Sequence, residues 1–63
     1  MSLAKNIVRA REKAGLSQAQ LAKKLGKSRS SVNEYESGEH EPKLDLLVKI
    51  AKVTGVTVEE LVA

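Results

Sequence analysis

Residues 17–38 of the chain read SQAQLAKKLGKSRSSVNEYESG, a pattern that predicts two short helices separated by a turn at Gly26. In its first half, apolar side chains recur at the three- and four-residue offsets of one helical face: Leu21, Ala22 and Leu25. Gly26 interrupts that pattern, and Ser28 can cap the free N–H groups of a second helix. Helices this short are not stable alone, so both must pack against the rest of the chain.

The second of these helices carries a polar face. At about 100° per residue, one side collects short and medium hydrogen-bonding side chains with one arginine: Arg29, Ser30, Asn33, Glu34 and Ser37. Val32 and Tyr35 lie on the opposite side, together with Ser28 and Ser31. Side chains of that kind can distinguish base edges in a major groove. The alternative is a solvated face that recognises nothing, since most exposed helix faces are polar.

A helix before this stretch is predicted from about residue 3 to residue 14, and Gly15 ends it. Its apolar stripe is expected to be Leu3, Ile7, Ala10 and Ala14. Ser17 and Gln20 then have the spacing of a capping box. The next helix is therefore predicted to begin at Gln18.

A fourth helix is predicted from Leu44 to Thr54, where Gly55 in a left-handed conformation ends it. Its core stripe is expected to be Leu44, Leu47, Val48, Ile50 and Ala51. Leu46 and Val53 are placed beyond that stripe, facing another subunit or the last helix. The hydroxyl of Thr54 is expected to bond back to a carbonyl one turn earlier.

The last helix is marked by Thr57 and Glu60, which repeat the capping box, and Leu61 closes the core. The sequence contains no strand alternation, repeat or low-complexity tract. A chain of 63 residues also has no room for a second core. We therefore predict an all-α fold, with five short helices forming one domain over residues 1–63.

Composition excludes several classes of protein. The chain has no Cys and one His, which excludes disulfides and thiolate metal sites. No apolar run approaches the ~20 residues of a membrane span, and no signal-peptide pattern is visible. Short helices leave little volume for a catalytic pocket. We therefore expect a cytoplasmic protein that is not an enzyme, with no cofactor, no metal and no membrane association.

Charge is unevenly distributed along the chain. Eleven Lys and Arg against eight Asp and Glu give a net charge of +3, which favours polyanions without identifying one. Basic residues fill the first half of the chain. Acidic residues cluster from the second half of the third helix, the one capped by Ser28, onward: Glu34, Glu36, Glu39 and Glu41. Glu39 and Glu41 would repel phosphates at close range. Either their loop lies away from DNA, or DNA binds weakly, or the domain serves a protein partner.

A set of residues spread over almost the whole chain has the spacing of a known domain: Arg11, Gly15 to Gln18, Leu21, Ala22, Gly26, Ser28, Val32, Glu36, Gly38, Pro42, Leu47, Ile50, Ala51, Gly55, Val56 and Leu61. In these positions the chain resembles the helix-turn-helix domain of the phage repressor and Cro family. The resemblance implies a five-helix fold, with helices 2 and 3 forming the helix-turn-helix, and double-stranded DNA as the partner. Antitoxins and multiprotein-bridging factors share this fold, so a protein-interaction role is the alternative.

The resemblance also implies roles for individual residues. It implies an ion pair between Arg11 and Glu36, since a guanidinium beside an apolar stripe needs a carboxylate partner. It implies a phosphate contact for Gln18 at the first position of its helix. Related domains dimerise through their C-terminal ends, which implies possible interface residues here: Leu46, Val53, Val58 and Val62. That these four fill the monomer core, or are exposed singly, remains an equal alternative.

The remaining site residues are assigned by their chemistry. The fork of arginine matches guanine and the amide of asparagine matches adenine, while a glutamate can only accept, which suits cytosine N4. The expected base-contacting residues are Arg29, Ser30, Asn33 and Glu34. The expected phosphate-contacting residues are Gln18, Lys27, Ser28 and Ser37.

Overall fold

The structure, a computed structural model, describes residues 2–63. These residues form five helices. In chain order they are α1 (Leu3–Lys13), α2 (Gln18–Leu25), α3 (Arg29–Ser37), α4 (Leu44–Thr54) and α5 (Val58–Val62). No strand occurs between residues 2 and 63. The predicted all-α class and the order of its helices are confirmed.

Each helix contributes one side chain to the centre of the core. The largest fully buried side chains are Ile7, Leu21, Val32, Ile50 and Leu61, which come from α1 to α5 in turn. α2 packs against α3 and α4, and α1 contacts α3, α4 and α5. Because the helices share one centre, packing supplies the stability that short helices lack alone. Across residues 2–63, none of these helices has the length and apolar character needed to cross a bilayer.

The helix ends follow local capping signals. The Ser17 hydroxyl accepts a hydrogen bond from the Gln20 N–H at 3.1 Å, and the Gln20 side chain accepts one from the Ser17 N–H at 2.8 Å. Thr57 and Glu60 form the same reciprocal box at the start of α5. Gly26 has a φ of 70°, the left-handed conformation that ends α2. The predicted capping boxes are confirmed, and the left-handed Gly26 lets the chain turn from α2 towards α3.

The end of α1 differs from the prediction. The helix ends at Lys13, and Ala14 is its exposed C-cap residue rather than a member of the core stripe. The stripe stops at Ala10, because the chain turns away through Gly15 before another helical turn can form. Ala14 was therefore assigned wrongly to the core.

The buried face of α4 also differs from the prediction. Leu44 is 67% exposed and Val48 is 37% exposed, although both were assigned to the core. At about 100° per residue they lie about 120° and 160° around the helix from Ile50, its most buried side chain. Leu46 and Val53 lie within about 60° of Ile50 and pack against the core. Leu47, Ile50 and Ala51 are buried as predicted, so the predicted stripe was displaced around the helix toward Leu44 and Val48.

The last turn of α4 forms as expected. The Thr54 hydroxyl donates to the carbonyl oxygen of Ile50 at 2.7 Å, one turn earlier, which confirms the predicted back-bond. Gly55 then ends the helix at a φ of 79°. Thr54 is half-buried, and this bond satisfies its hydroxyl within its own helix.

Asn6 is a buried polar residue that the sequence analysis missed. Its side-chain amide nitrogen donates to the carbonyl oxygen of Leu61 at 2.8 Å and to that of Ala63 at 3.1 Å. Buried polar groups are stable only when hydrogen-bonded. Asn6 meets this need by joining α1 to the C-terminal end of α5, which places the two ends of the described chain side by side.

Candidate nucleic-acid interface

α3 presents two faces of opposite character. Val32 is fully buried and Tyr35 packs against the core, so the helix is held from one side. Arg29, Ser30 and Asn33 are exposed on the other side. α3 therefore displays three of the four predicted base-contacting residues on a rigid support.

Those three residues share a shallow depression with one predicted phosphate-contacting residue. Arg29, Ser30 and Asn33 line it from α3, and Gln18 lines it from α2. The depression has a volume of about 230 Å³. Gln18 is the first residue of α2 and Arg29 the first of α3, so the N-terminal, electropositive ends of both helices border the same surface.

Glu34, the fourth predicted base-contacting residue, lies apart from the other three. It is half-buried and lines, with Tyr35 and His40, a groove of about 630 Å³ between α3, the following loop and α4. The helical wheel already indicated that Glu34 is set apart from Asn33, because the two residues differ by about 100° around α3. The structure does not bring Glu34 together with the depression.

The acidic loop lies at the C-terminal end of α3. The N–H groups of Glu39 and His40 donate to the carbonyl oxygen of Glu34, at 3.0 and 3.3 Å. α3 has nine residues and is therefore about 13 Å long. The loop follows the end of α3 opposite to Arg29. Potential ligand atoms of Glu34, Glu39 and His40 lie within 4.8 Å of one another, but exposed acidic groups are often this close without a metal, and we assign none here.

Arg11 and Glu36, the residues expected to pair, are in contact. Nε of Arg11 donates to Oε2 of Glu36 at 2.6 Å, and Nη2 donates to Oε1 at 3.2 Å. Nη1 donates to the carbonyl oxygen of Leu16 at 2.8 Å. The side chains are only 14% and 5% exposed. One guanidinium therefore joins α1 and α3 to the turn before α2.

Gln18 extends this ion pair to the exposed face of α3. Its amide nitrogen donates to Oε1 of Glu36 at 3.0 Å and lies 3.5 Å from Oδ1 of Asn33. The chain of contacts runs from a buried carboxylate to an exposed amide. Gln18 was expected at a phosphate, and its contact with Glu36 could not be predicted from the sequence because it depends on how α2 and α3 cross.

The other predicted phosphate-contacting residues differ in how their side chains are used. Lys27 is exposed in the turn between α2 and α3. The hydroxyl of Ser28 caps α3 by accepting from the Ser31 N–H at 3.1 Å. The hydroxyl of Ser37 donates to the carbonyl oxygen of Glu34 at 3.2 Å, at the far end of α3. Local bonds therefore occupy both serine hydroxyls.

The residues expected at a dimer interface are mostly turned inward. Leu46, Val53 and Val58 are half-buried against the core, and Val62 is 56% exposed. The alternative that they fill the monomer core therefore fits the first three. Within residues 2–63, the large exposed apolar side chains are Leu44, Val48 and Val62, of which Val62 alone was expected at an interface.

Comparisons with known proteins agree with this geometry. The sequence model of the helix-turn-helix family matches residues 7–61. An uncharacterized HTH-type transcriptional regulator of Methanocaldococcus jannaschii is 48% identical over 46 residues, which cover 73% of this chain and 70% of that protein. The cryptic phage CTXphi transcriptional repressor RstR of Vibrio cholerae is 36% identical over 61 residues, 97% of this chain and 54% of the repressor.

A solved structure shares the fold. The P22 c2 repressor, crystallised in complex with a synthetic operator, superimposes with a TM-score of 0.89 at 26% identity. The match covers 98% of this chain and 94% of that one. The repressor from Vibrio is longer, since this chain spans about half of its length.

Proposed function

Because the chain belongs to the helix-turn-helix family, we propose that it is a transcriptional regulator that binds double-stranded DNA through α3. The observation that carries the proposal is the exposed side of α3, where Arg29, Ser30 and Asn33 share a depression with Gln18. A helix that is held from behind and polar in front can enter a major groove, which is about 12 Å wide.

Charge supports one orientation of α3 in the groove. The exposed basic residues near the start of the helix are Lys23, Lys24, Lys27 and Arg29. Glu39 and Glu41 follow the opposite end of the helix. When α3 enters by its N-terminal end, the basic side chains meet phosphates and the acidic loop stays farther from them.

Individual roles follow from this orientation. Arg29 offers its two-pronged donor to guanine, and Ser30 can reach either kind of base edge. Lys27 contacts phosphate, as do the first turns of α2 and α3 at Gln18 and Ser28, where free backbone N–H groups attract anions. The geometry gives no support to the other two expected contacts, since the Ser37 hydroxyl donates to the carbonyl oxygen of Glu34 and Glu34 lies outside the depression.

The proposal is tested by selecting duplexes from a random library and measuring affinity for selected and scrambled sequences. Arg29→Ala should cost about 1–3 kcal/mol on the selected duplex and less on the scrambled one. Lys52→Ala, which removes the same charge from the exposed side of α4, is the matched control. If Arg29→Ala and Asn33→Ala both keep the wild-type ratio of affinities, α3 does not read sequence.

Two-fold binding extends this proposal. A single helix reads few base pairs, so two copies on half-sites about 34–36 Å apart would supply the specificity of an operator. Of the expected interface residues, Val62 is the most exposed, and Val58 lies one turn before it on α5. A single protected half-site in footprinting, with a monomer on DNA, would contradict the dimer.

A protein-binding role is the second candidate. Leu44 and Val48 are exposed one turn apart on α4, away from the depression, and two apolar side chains at that spacing suit a helical partner. A salt titration separates the two functions. Affinity for DNA falls steeply with salt because phosphate contacts release counterions, whereas an apolar protein interface depends little on salt.

A further inference from the structure

A groove between α1 and α5, here called the α1–α5 groove, lies apart from the depression on α2 and α3. It has a volume of about 270 Å³ and, within residues 2–63, shares no lining residue with that depression. Ala10 of α1 and Leu61 of α5 are buried at its bottom. Val56, in the turn before α5, is half-buried, and Ala63 is exposed. The floor of the groove is therefore apolar and partly open to solvent.

The two sides of the α1–α5 groove carry opposite charges. Arg9 and Lys13, one turn apart on α1, line one side, and Glu60 of α5 lines the other. A DNA backbone suits this groove poorly, because its phosphates would lie near the carboxylate of Glu60 and its polar groups would face an apolar floor. The groove instead fits a protein segment with an apolar centre between charges of both signs.

This chain carries such a segment on α4. Leu44 is 67% exposed and Val48 is 37% exposed, and the two lie one turn apart, forming a ridge that we call the α4 ridge. Exposed charges of both signs lie within three residues of Leu44: Glu41, Lys43 and Asp45. Within residues 2–63, neither side chain of the α4 ridge lines the α1–α5 groove of its own chain. Only a second copy can therefore bring the ridge and the groove together.

We propose that copies of this chain associate head to tail, with the α4 ridge of one copy in the α1–α5 groove of the next. The carboxylates beside the ridge then face the basic side of the groove, and Lys43 faces Glu60. Because the ridge and the groove are different surfaces, this contact is distinct from a two-fold dimer and leaves a groove and a ridge open for further copies. One helical turn in a groove buries less than the ~1,200 Å² of a stable interface. Association therefore requires a high local concentration, such as that of copies on neighbouring DNA sites.

The test mixes two variants in the absence of DNA. Leu44→Ser removes most of the ridge and keeps the groove, whereas Lys13→Glu reverses a charge of the groove and keeps the ridge. Each variant alone should associate about tenfold more weakly than the wild type, but each should bind the other, because one supplies an intact groove and the other an intact ridge. In ¹⁵N-labelled Leu44→Ser, unlabelled Lys13→Glu should shift the backbone amide signals of Ala10, Val56 and Leu61. Unlabelled Leu44→Ser should not shift them.

Sedimentation velocity at low salt gives the second readout. The average mass of the wild type should rise with protein concentration, and added salt should weaken the association because opposite charges meet in the contact. Lys24→Glu, a matched charge reversal in the last turn of α2, should associate like the wild type. The amide spectrum of each variant reports whether it is folded.

Three results would overturn the proposal. They are a wild type that stays monomeric at about 1 mM, a mixture of variants that associates no better than each variant alone, and amide shifts confined to Val58 and Val62, which would indicate a two-fold contact. A duplex that shifts the groove signals would also overturn it, because the groove would then belong to a DNA interface. DNA binding through α3 is tested separately by duplex selection, so either proposal can fail while the other stands.

Discussion

At the scale of single residues, the contact between Arg11 and Glu36 combines a structural and a chemical role. A nearly buried carboxylate is costly unless it is paired and hydrogen-bonded, and here two guanidinium nitrogens and one amide donate to it. The same requirement orients Gln18. One carboxylate therefore holds α1 to α3 and orients the side chain of Gln18.

This dependence predicts strong coupling between Arg11 and Glu36 in stability. Arg11→Met should lower the free energy of unfolding by about 3 kcal/mol, because it leaves a carboxylate that is 5% exposed without its charge partner. The double variant Arg11→Met/Glu36→Leu should cost less than the sum of the single changes, since no charge remains buried. Urea denaturation of all four proteins measures the coupling. Single costs that add within about 0.5 kcal/mol would show that the two residues act independently.

At the scale of helices, what could be predicted from the sequence depended on range. The starts of α2 and α5 follow from Ser17 and Thr57, whose capping partners lie three residues away, so a short window of sequence contains the whole interaction. The inward face of α4 depends on packing against α1, α2 and α5. Hydrophobicity alone could not orient a helix with apolar residues on more than half of its circumference.

The site shows the same division. Arg29, Ser30 and Asn33 could be placed together on one face because helical periodicity is local. The contact of Gln18 with Glu36 joins residues 18 positions apart, and its existence depends on the crossing of α2 and α3. Only a structure reveals such a contact, so the sequence-based expectation for Gln18 considered a phosphate alone.

The two faces of α4 predict opposite responses to truncation. Leu46→Ala should lower the free energy of unfolding by about 2 kcal/mol because Leu46 packs against the core. Leu44→Ala, two residues away in the same helix, is the matched control and should cost less than about 0.5 kcal/mol, since Leu44 is 67% exposed. Thermal and urea melts compare them. Equal costs would mean that α4 is rotated from the position described.

The attachment of α5 predicts a distinctive effect of Asn6. Asn6→Asp replaces a donor with acceptors facing the carbonyl oxygens of Leu61 and Ala63, so it should cost more than about 2 kcal/mol. Asn6→Leu is the comparison, because it leaves the carbonyls without a donor but adds no charge. In Asn6→Asp, hydrogen exchange should show that α5 loses protection before the other helices do. Uniform loss along the chain would show that α5 does not open separately.

At the scale of the whole molecule, charge is divided along the axis of α3. Arg29 lies at one end, and Glu39 and Glu41 follow the other. Lys27, just before the helix, lines the same groove as Glu34 and Glu41. A net charge of +3 is small, so nonspecific attraction to DNA depends on where the positive charges lie rather than on their excess. This arrangement favours one direction of approach to a duplex.

That division predicts how affinity responds to salt. Lys27→Ala removes one proposed phosphate contact, so it should weaken binding to selected and scrambled duplexes similarly and reduce the slope of log affinity against log salt by about 0.9. Lys52→Ala changes net charge by the same amount from α4, a helix that lies outside the proposed interface, and should leave the slope close to that of the wild type. Fluorescence anisotropy at several salt concentrations measures both. If the two variants change the slope equally, affinity follows net charge alone, and the proposed approach by the N-terminal end of α3 is wrong. If only Lys27→Ala changes the slope, affinity depends on the position of the charge at the start of α3.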